Sequence, residues 1–103
     1  MLTEREIAIV RQVLAPFADR IERVDVFGSR ALGTARPASD IDLAIHGRLK
    51  ERDLARLWTR FAESALAVTV DLIDYARLEP SSIKRHIDQF GRTLLTQADL
   101  VAH

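Results

Sequence analysis

The chain has 103 residues and a mass of 11.6 kDa, which is enough for one compact domain and too little for two. Hydrophobic residues make up 48% of the chain and charged residues 29%, a balance typical of a globular protein rather than a disordered one. The 15 basic and 15 acidic residues leave no net charge, which argues against direct binding along a nucleic-acid backbone.

The N-terminal segment predicts an amphipathic helix. Thr3 and Glu6 have the spacing of a capping box. Apolar residues then recur at helical intervals: Ile7, Val10, Val13, Leu14 and Phe17. Pro16 lacks an amide hydrogen, so the helix should end or kink near Ala15. The run 21–27, which stops at Gly28, predicts the first strand.

A turn and a second strand follow. Ser29 can cap a short helix that ends at Gly33, and the loop 34–39 leads to a strand over 40–45. Because successive side chains of a strand point to opposite faces, the strand has one apolar face, made of Ile41, Leu43 and Ile45. Its other face holds Asp40, Asp42 and Ala44.

The second half of the chain alternates in the same way. A helical stripe places Trp58 in the core together with Leu54, Leu57, Phe61 and Ala65. A strand over 68–73 puts Asp71 on one side, with Thr69 and Ile73, and leaves Asp74 on the opposite face as a polar residue just past the strand end. A last helix begins at Pro80 with a buried stripe of Ile83, Ile87 and Phe90.

The segment 92–96 is either a short edge strand or a frayed turn. The order of the elements predicts an α/β (α+β) fold, with a small mixed sheet of about three to four strands and helices packed on one face. The acidic face of the sheet is then left uncovered by helices and available for a functional site.

The aspartates on that face suggest a cation site. Asp40 and Asp42 lie roughly 6–7 Å apart along the strand, where like charges repel unless a cation lies between them. Mg²⁺ takes carboxylate and phosphate oxygens, so this pair suits a magnesium–nucleotide complex. Asp71 can join them from its own strand. Taken alone, the pair is equally compatible with a solvated strand face, and a phosphoacceptor aspartate would leave the preceding turn unexplained.

The turn at Gly28 and Ser29 suggests a phosphate site. Glycine lets a phosphate approach the backbone closely, a helix N-terminus offers free N–H groups, and the serine hydroxyl adds a donor. Taken alone, such a dipeptide is an ordinary turn. The three histidines do not cluster in sequence with the carboxylates, and we interpret them as a loop residue, a helix-surface residue and a terminal residue: His46, His86 and His103.

In combination, these features resemble a known family. Gly28-Ser29, ten further residues, Asp40-Ile41-Asp42 and the distant Asp71 resemble the nucleotidyltransferase superfamily of DNA polymerase beta. The stretch 26–44 is similar almost throughout to the minimal nucleotidyltransferase (MNT) branch of that superfamily. The resemblance covers nearly the whole chain and departs at Leu32, where the branch often has arginine or another polar residue.

The resemblance implies a polymerase-beta-like core with a defined site. Asp40, Asp42 and Asp71 would coordinate two Mg²⁺ ions, and Asp71 would help to deprotonate the acceptor hydroxyl. Gly28 and Ser29 would hold the β- and γ-phosphates, with Arg30 adding positive charge. The reaction would transfer a nucleoside monophosphate, AMP from ATP in the first instance, to a hydroxyl group and release pyrophosphate.

The resemblance also implies a partner. Relatives in this branch often work with a HEPN-type helical protein, as an antitoxin or with a substrate-binding subunit, and some transfer AMP to a tyrosine of that partner. Two alternatives stay open: an antitoxin that acts by binding only, and the catalytic subunit of a two-chain transferase for a small molecule. A homo-oligomer is also compatible with the sequence.

The composition and the first residues of the chain predict its cellular compartment. It has no cysteine, which excludes disulfides, thiolate catalysis and cysteine-based zinc sites and suits a reducing compartment. It has no apolar run long enough for a membrane span, and its first residues do not follow the signal-peptide pattern. We therefore expect a cytoplasmic protein in which residues 1–103 form one nucleotidyltransferase domain, without contact to a membrane.

Overall fold

The computed structural model describes residues 1–36 and 38–102, and a four-stranded mixed sheet organises them. The strands are β1 (Ile21–Phe27), β2 (Ile41–Gly47), β3 (Val70–Asp74) and β4 (Arg92–Thr96), in the spatial order β3-β2-β1-β4. β1 pairs antiparallel with both β2 and β4, whereas β2 pairs parallel with β3. The predicted mixed sheet is confirmed, and the segment 92–96 is an edge strand rather than a frayed turn.

Five α-helices lie within these residues: α1 (Glu4–Leu14), α2 (Ser29–Leu32), α3 (Glu51–Ala62), α4 (Ser82–Phe90) and α5 (Gln97–Val101). Short 3-10 helices cover Ala15–Arg20 and Tyr75–Arg77.

Local sequence signals fix the ends of several helices. At α1, the Glu6 N–H donates to Thr3 Oγ1 at 3.1 Å and the Thr3 N–H donates to Glu6 Oε1 at 2.9 Å, which is the predicted capping box. The α-helix then gives way to the 3-10 turn that contains Pro16, as its missing amide hydrogen predicts. Ser29 does not cap α2. Gly28 occupies that position, and Gly33 ends the helix in the left-handed conformation with a φ of 75°.

The main core lies on one face of the sheet. Its centre is formed by buried residues of α1, α3, α5, β1 and β2, among them Leu14, Leu57, Leu100, Val26 and Leu43. Ile41, Leu43 and Ile45 of β2 all point into this core and are fully buried. The predicted alternation of β2 therefore holds, and its other face is turned away from the main helical layer.

One helix lies against that other face. Ile87 of α4 packs on Phe27 and Ala44 in a second, smaller apolar cluster. Ile87 is the buried residue of α4, whereas Ile83 and Phe90 are 46% and 40% exposed. The predicted three-residue buried stripe is therefore wrong at two positions, because Ile87 is the one residue of the stripe that α4 buries against the sheet.

Two further features differ from expectation. Trp58 is 40% exposed, because Leu57 and Phe61, one helical turn apart, already form the buried edge of α3. The sequence does not predict the helix α5, because its five residues are too few to show a period. Its cap is Thr96, and Leu100 anchors it in the main core. In the part of the chain that is described, no helix has the length and apolar character needed to cross a membrane.

Candidate active site

Asp42 and Asp71 meet on the face of the sheet that the main helical layer leaves uncovered. They are direct partners in the parallel ladder between β2 and β3, and the charge of Asp71 acts on the Asp42 carboxyl. Asp42 is half-buried and Asp71 is exposed. Asp40 precedes β2, is exposed, and is close enough for its charge to act on Asp42. The structure therefore pairs Asp42 with Asp71, and Asp40 lies near Asp42.

The electrostatics of the site centre on Asp42. Burial raises the pKa of the Asp42 carboxyl above its ordinary value, because it penalises the charged form. The negative charges of Asp71 and Asp40 raise that pKa further, and His86 lowers it when its imidazole is protonated. A carboxyl placed among like charges in this way is stabilised in its ionised form by a bound cation.

Gly28 brings the predicted phosphate turn against Asp42. It ends β1 at a positive φ of 71°, which L side chains rarely adopt. A Cβ atom at this position would overlap Oδ2 of Asp42, so the close approach of turn and carboxylate requires glycine. The first helical hydrogen bonds of α2 run from Ala31 and Leu32 to the Gly28 carbonyl, both at 3.1 Å. The amide groups of Gly28, Ser29 and Arg30 thus precede the helical ladder.

His86 reaches the same turn from α4. The Gly28 N–H donates to Nε2 of His86 at 3.3 Å. The imidazole lies edge-on to Phe27 and tilted against Phe90. The sequence identified His86 only as a helix-surface residue and missed this contact. Its position depends on the long-range packing of Ile87 on the sheet, for which the sequence has no local signal.

Arg30 has partners other than the predicted phosphates. The side chain is buried, and both of its terminal nitrogens donate to the Glu6 carboxylate, at 2.8 and 3.1 Å. One of them also donates to the Ser39 carbonyl at 2.9 Å. Arg30 therefore ties α1 to the residue that immediately precedes Asp40, and its charge is already paired within the protein.

A second polar cluster lies further along the same face of the sheet. His46 is a buried strand residue and not the predicted loop residue, with Nε2 2.9 Å from Oδ2 of Asp25. Thr93 donates to the other oxygen of Asp25 at 3.0 Å. Asp74 lies on the face opposite Asp71, as predicted. It is the buried last residue of β3, beside Arg77, and not a residue just past the strand end. His103 lies outside the described residues.

The donor set fits magnesium, although the protein does not form a closed cage. Within residues 1–36 and 38–102, no three histidine or acidic side chains converge closely enough to hold a metal ion on their own. Mg²⁺ keeps several waters and takes substrate phosphates as ligands, so one or two protein carboxylates are sufficient for it. Asp42 and Asp71 supply such oxygens. Burial and the negative charge of Asp71 both raise the pKa of Asp42, and a cation between the two carboxylates would offset both effects.

Comparison with solved structures identifies the fold. A crystal structure of a toxin–antitoxin with AMP-PNP superimposes with a TM-score of 0.72, at 22% identity, over 92% of this chain and 80% of that chain. A double aspartate-to-glutamate mutant of the toxin–antitoxin MntA–HpeT matches with a TM-score of 0.69, at 20% identity, over 97% of this chain and 81% of that chain. At these identities the likeness establishes the fold.

Comparison of sequences identifies the family. The curated protein "Probable protein adenylyltransferase MntA" of Haemophilus influenzae is 40% identical over 77 residues, which are 73% of this chain and 67% of that protein. The family model "Polymerase beta, Nucleotidyltransferase" matches residues 10–99. That range contains the Gly28 turn and all three carboxylates of the site. The chain therefore belongs to the polymerase beta family of nucleotidyltransferases and is itself a nucleotidyltransferase.

Proposed function

We propose that this nucleotidyltransferase transfers AMP from ATP, in the presence of Mg²⁺, to a hydroxyl group of a partner protein. The observation that carries this proposal is the in-register pair of Asp42 and Asp71, of which Asp42 is in contact with the Gly28 turn. One position thus combines oxygen ligands for a metal ion with backbone donors for phosphate groups. We propose that residues 1–103 form this single nucleotidyltransferase domain.

Each residue of the site has a proposed task. Asp40, Asp42 and Asp71 would hold two magnesium ions. The Gly28 and Ser29 donors would hold the β- and γ-phosphates, which leaves the α-phosphorus beside the carboxylates. Bound magnesium would stabilise the attacking and leaving oxygens of an in-line displacement. We assign Arg30 to holding the loop before Asp40, because its guanidinium is paired with Glu6.

The proposed reaction is balanced without a further reactant. The oxygen of the acceptor hydroxyl forms a bond to the α-phosphorus of ATP. The bond from that phosphorus to the oxygen bridging to the β-phosphate breaks, and pyrophosphate leaves with the electron pair. Asp71, the more exposed of the paired carboxylates, receives the hydroxyl proton. Because ATP is the donor and the chain has no cysteine, we place the reaction in the cytoplasm.

The proposed acceptor is a tyrosine of a HEPN-type helical partner, which makes this chain an antitoxin. The name of the Haemophilus influenzae relative supports protein adenylylation, and the toxin–antitoxin neighbours support a partner. Exposed apolar side chains flank the site: Leu32 at the end of α2, and Ile83 and Phe90 on α4. A protein partner would bury them, whereas a small-molecule acceptor would leave them in water.

The experiment is mass spectrometry of the partner. The genomically adjacent helical protein is incubated with this chain, Mg²⁺ and each of the four nucleoside triphosphates. We expect the partner to gain the mass of one adenylyl group with ATP, located on a tyrosine by peptide mapping. An unmodified partner that is still bound and inhibited would favour the binding-only antitoxin. Modification of a small molecule instead would favour the two-chain transferase.

A further inference from the structure

The imidazole of His86 occupies the backbone donor at the centre of the proposed phosphate site. The Gly28 N–H donates to Nε2 with an N–N distance of 3.3 Å. The ring meets Phe27 edge-on, with 6.2 Å between centroids and 71° between planes. It also packs against Phe90, at 5.1 Å between centroids and 49° between planes. Two aromatic side chains thus hold the ring at the amide, unlike a freely rotating surface residue.

The Gly28 amide can serve only one strong acceptor. A backbone N–H has a single hydrogen to donate, and Nε2 accepts it with the lone pair of its unprotonated form. A phosphate oxygen that takes the same hydrogen must come to the position that Nε2 holds. The imidazole and the triphosphate therefore exclude each other at this atom.

We propose that His86 is a further residue of the triphosphate site, where it competes with the nucleotide for the Gly28 amide and thereby sets nucleotide affinity. The inference rests on the proposed function, because it takes the Gly28 turn as the phosphate site. Nothing in the Gly28-to-Asp42 motif predicts it, since His86 comes from a different part of the chain.

The surroundings of the ring show how it can leave. Phe27 is buried in the second apolar cluster. Phe90 is exposed, and His86 itself is only half-buried. A change of the His86 side-chain rotamer would free the amide, while Ile87 keeps the backbone of α4 anchored on the sheet.

The proposed role of His86 affects nucleotide binding and not the chemical step. His86 leaves the amide before the reacting complex is complete, so its removal should act on nucleotide binding and on KM, with little change in kcat. Removing the competing acceptor should tighten nucleotide binding by roughly two- to tenfold, the equivalent of one hydrogen bond. A variant with a replacement acceptor should restore the wild-type affinity.

The test is calorimetric titration with Mg²⁺ and AMP-PNP. We expect His86→Ala to bind the nucleotide analogue more tightly than the wild type, with a lower KM and an unchanged kcat for ATP. His86→Gln, whose side-chain oxygen can accept the amide hydrogen, should stay close to the wild type. Gln89→Ala, an exposed change on the same helix, is the matched control and should bind as the wild type does.

Nuclear magnetic resonance can observe the Gly28 amide and the His86 imidazole directly. A merely structural role of His86 would not link these two resonances to nucleotide binding. Without nucleotide, His86→Ala should shift the Gly28 amide resonance, and addition of AMP-PNP to the wild type should shift both Gly28 and the His86 Nε2 nitrogen. Unchanged or weaker binding by His86→Ala would overturn the inference. If neither the wild type nor His86→Ala binds any nucleotide, the proposed function is wrong. If both bind nucleotide with the same affinity, only the proposed role of His86 is wrong.

Discussion

Gly28 and Asp42 are packed so closely that a single added carbon on the glycine would overlap the carboxylate. This contact joins the end of β1 to the middle of the acidic strand face. It makes the proposed phosphate turn and the proposed metal-binding carboxylate one unit, although the two residues are 14 positions apart in the sequence. The conformation of Gly28, with a φ of 71°, is the backbone condition for that contact.

Replacing Gly28 by alanine should therefore damage both stability and activity. The positive φ costs about 1 kcal/mol for an L residue, and the overlap with Asp42 adds to it. Gly33→Ala is the matched control, because Gly33 also has a positive φ but a Cβ there would have no neighbour within 4 Å. We expect both variants to melt earlier and only Gly28→Ala to lose nucleotide transfer. Equal activities in the two variants would contradict the role of the contact.

Asp42→Asn should leave the protein at least as stable while it removes transfer. The substitution removes a half-buried charge that is repelled by Asp71 and Asp40. Removing this repulsion should stabilise the fold by about 0.5–1 kcal/mol, which would raise the melting temperature of a domain of this size by a few degrees. Added Mg²⁺ should raise the melting temperature of the wild type and should have little effect on Asp42→Asn, and chelation should reverse the effect. The exposed Asp19→Asn serves as a control and should respond to Mg²⁺ as the wild type does.

Arg30 and Glu6 should behave as a structural pair. Arg30→Met keeps most of the side-chain volume but leaves the Glu6 carboxylate without its partner, at a cost of about 3 kcal/mol in unfolding free energy. Glu6→Gln should also destabilise, since it weakens the same two contacts. At a temperature where both variants are folded, we expect their nucleotide affinities to differ by less than about threefold. Loss of nucleotide binding in Arg30→Met alone would instead show that Arg30 binds phosphate.

Asp53 should make the protein sensitive to acid. The hydrogen bond from the Lys50 amide, at 2.9 Å, holds the pKa of the Asp53 carboxyl below its ordinary value, and Arg20 at 2.8 Å adds to this. A depressed pKa means that the stabilisation is complete above the ordinary pKa of aspartate and is lost as the pH falls through the lowered one.

The comparison of wild type with Asp53→Asn measures that contribution. Near neutral pH we expect the variant to lose about 1–3 kcal/mol of unfolding free energy. In denaturant titrations at decreasing pH, the unfolding free energies of the wild type and of Asp53→Asn should converge as Asp53 becomes protonated. Glu63→Gln, an exposed change at the other end of α3, should not alter the unfolding free energy. A difference between wild type and Asp53→Asn that persists unchanged into acid would contradict this account.

Local signals account for the parts of the fold that the sequence predicts well. The capping box at Thr3, the alternation of β2 and the left-handed Gly33 each depend on residues close in the chain. The exposure of Trp58 and Phe90 depends instead on how α3 and α4 are rotated against the sheet. A stripe of apolar residues indicates which side of a helix is buried but not how wide the contact is.

Some residues of the site can likewise be predicted from the local sequence, and others cannot. Asp42 and Asp71 could be matched by strand parity, and the ladder brings them together as that parity requires. His86 and Arg30 could not be assigned from local sequence. Their partners, Gly28 and Glu6, lie 58 and 24 residues away, and only the packed structure selects them.

The most direct test of the account is transfer of label from ATP labelled at the α-phosphorus to the helical partner protein. The wild type is compared with Asp42→Asn and Asp71→Asn, and with Asp19→Asn as the control carboxylate. We predict labelled partner with the wild type and the control, and none with either variant of the pair. Label that persists in both Asp42→Asn and Asp71→Asn would contradict the claim that this pair of carboxylates carries the reaction.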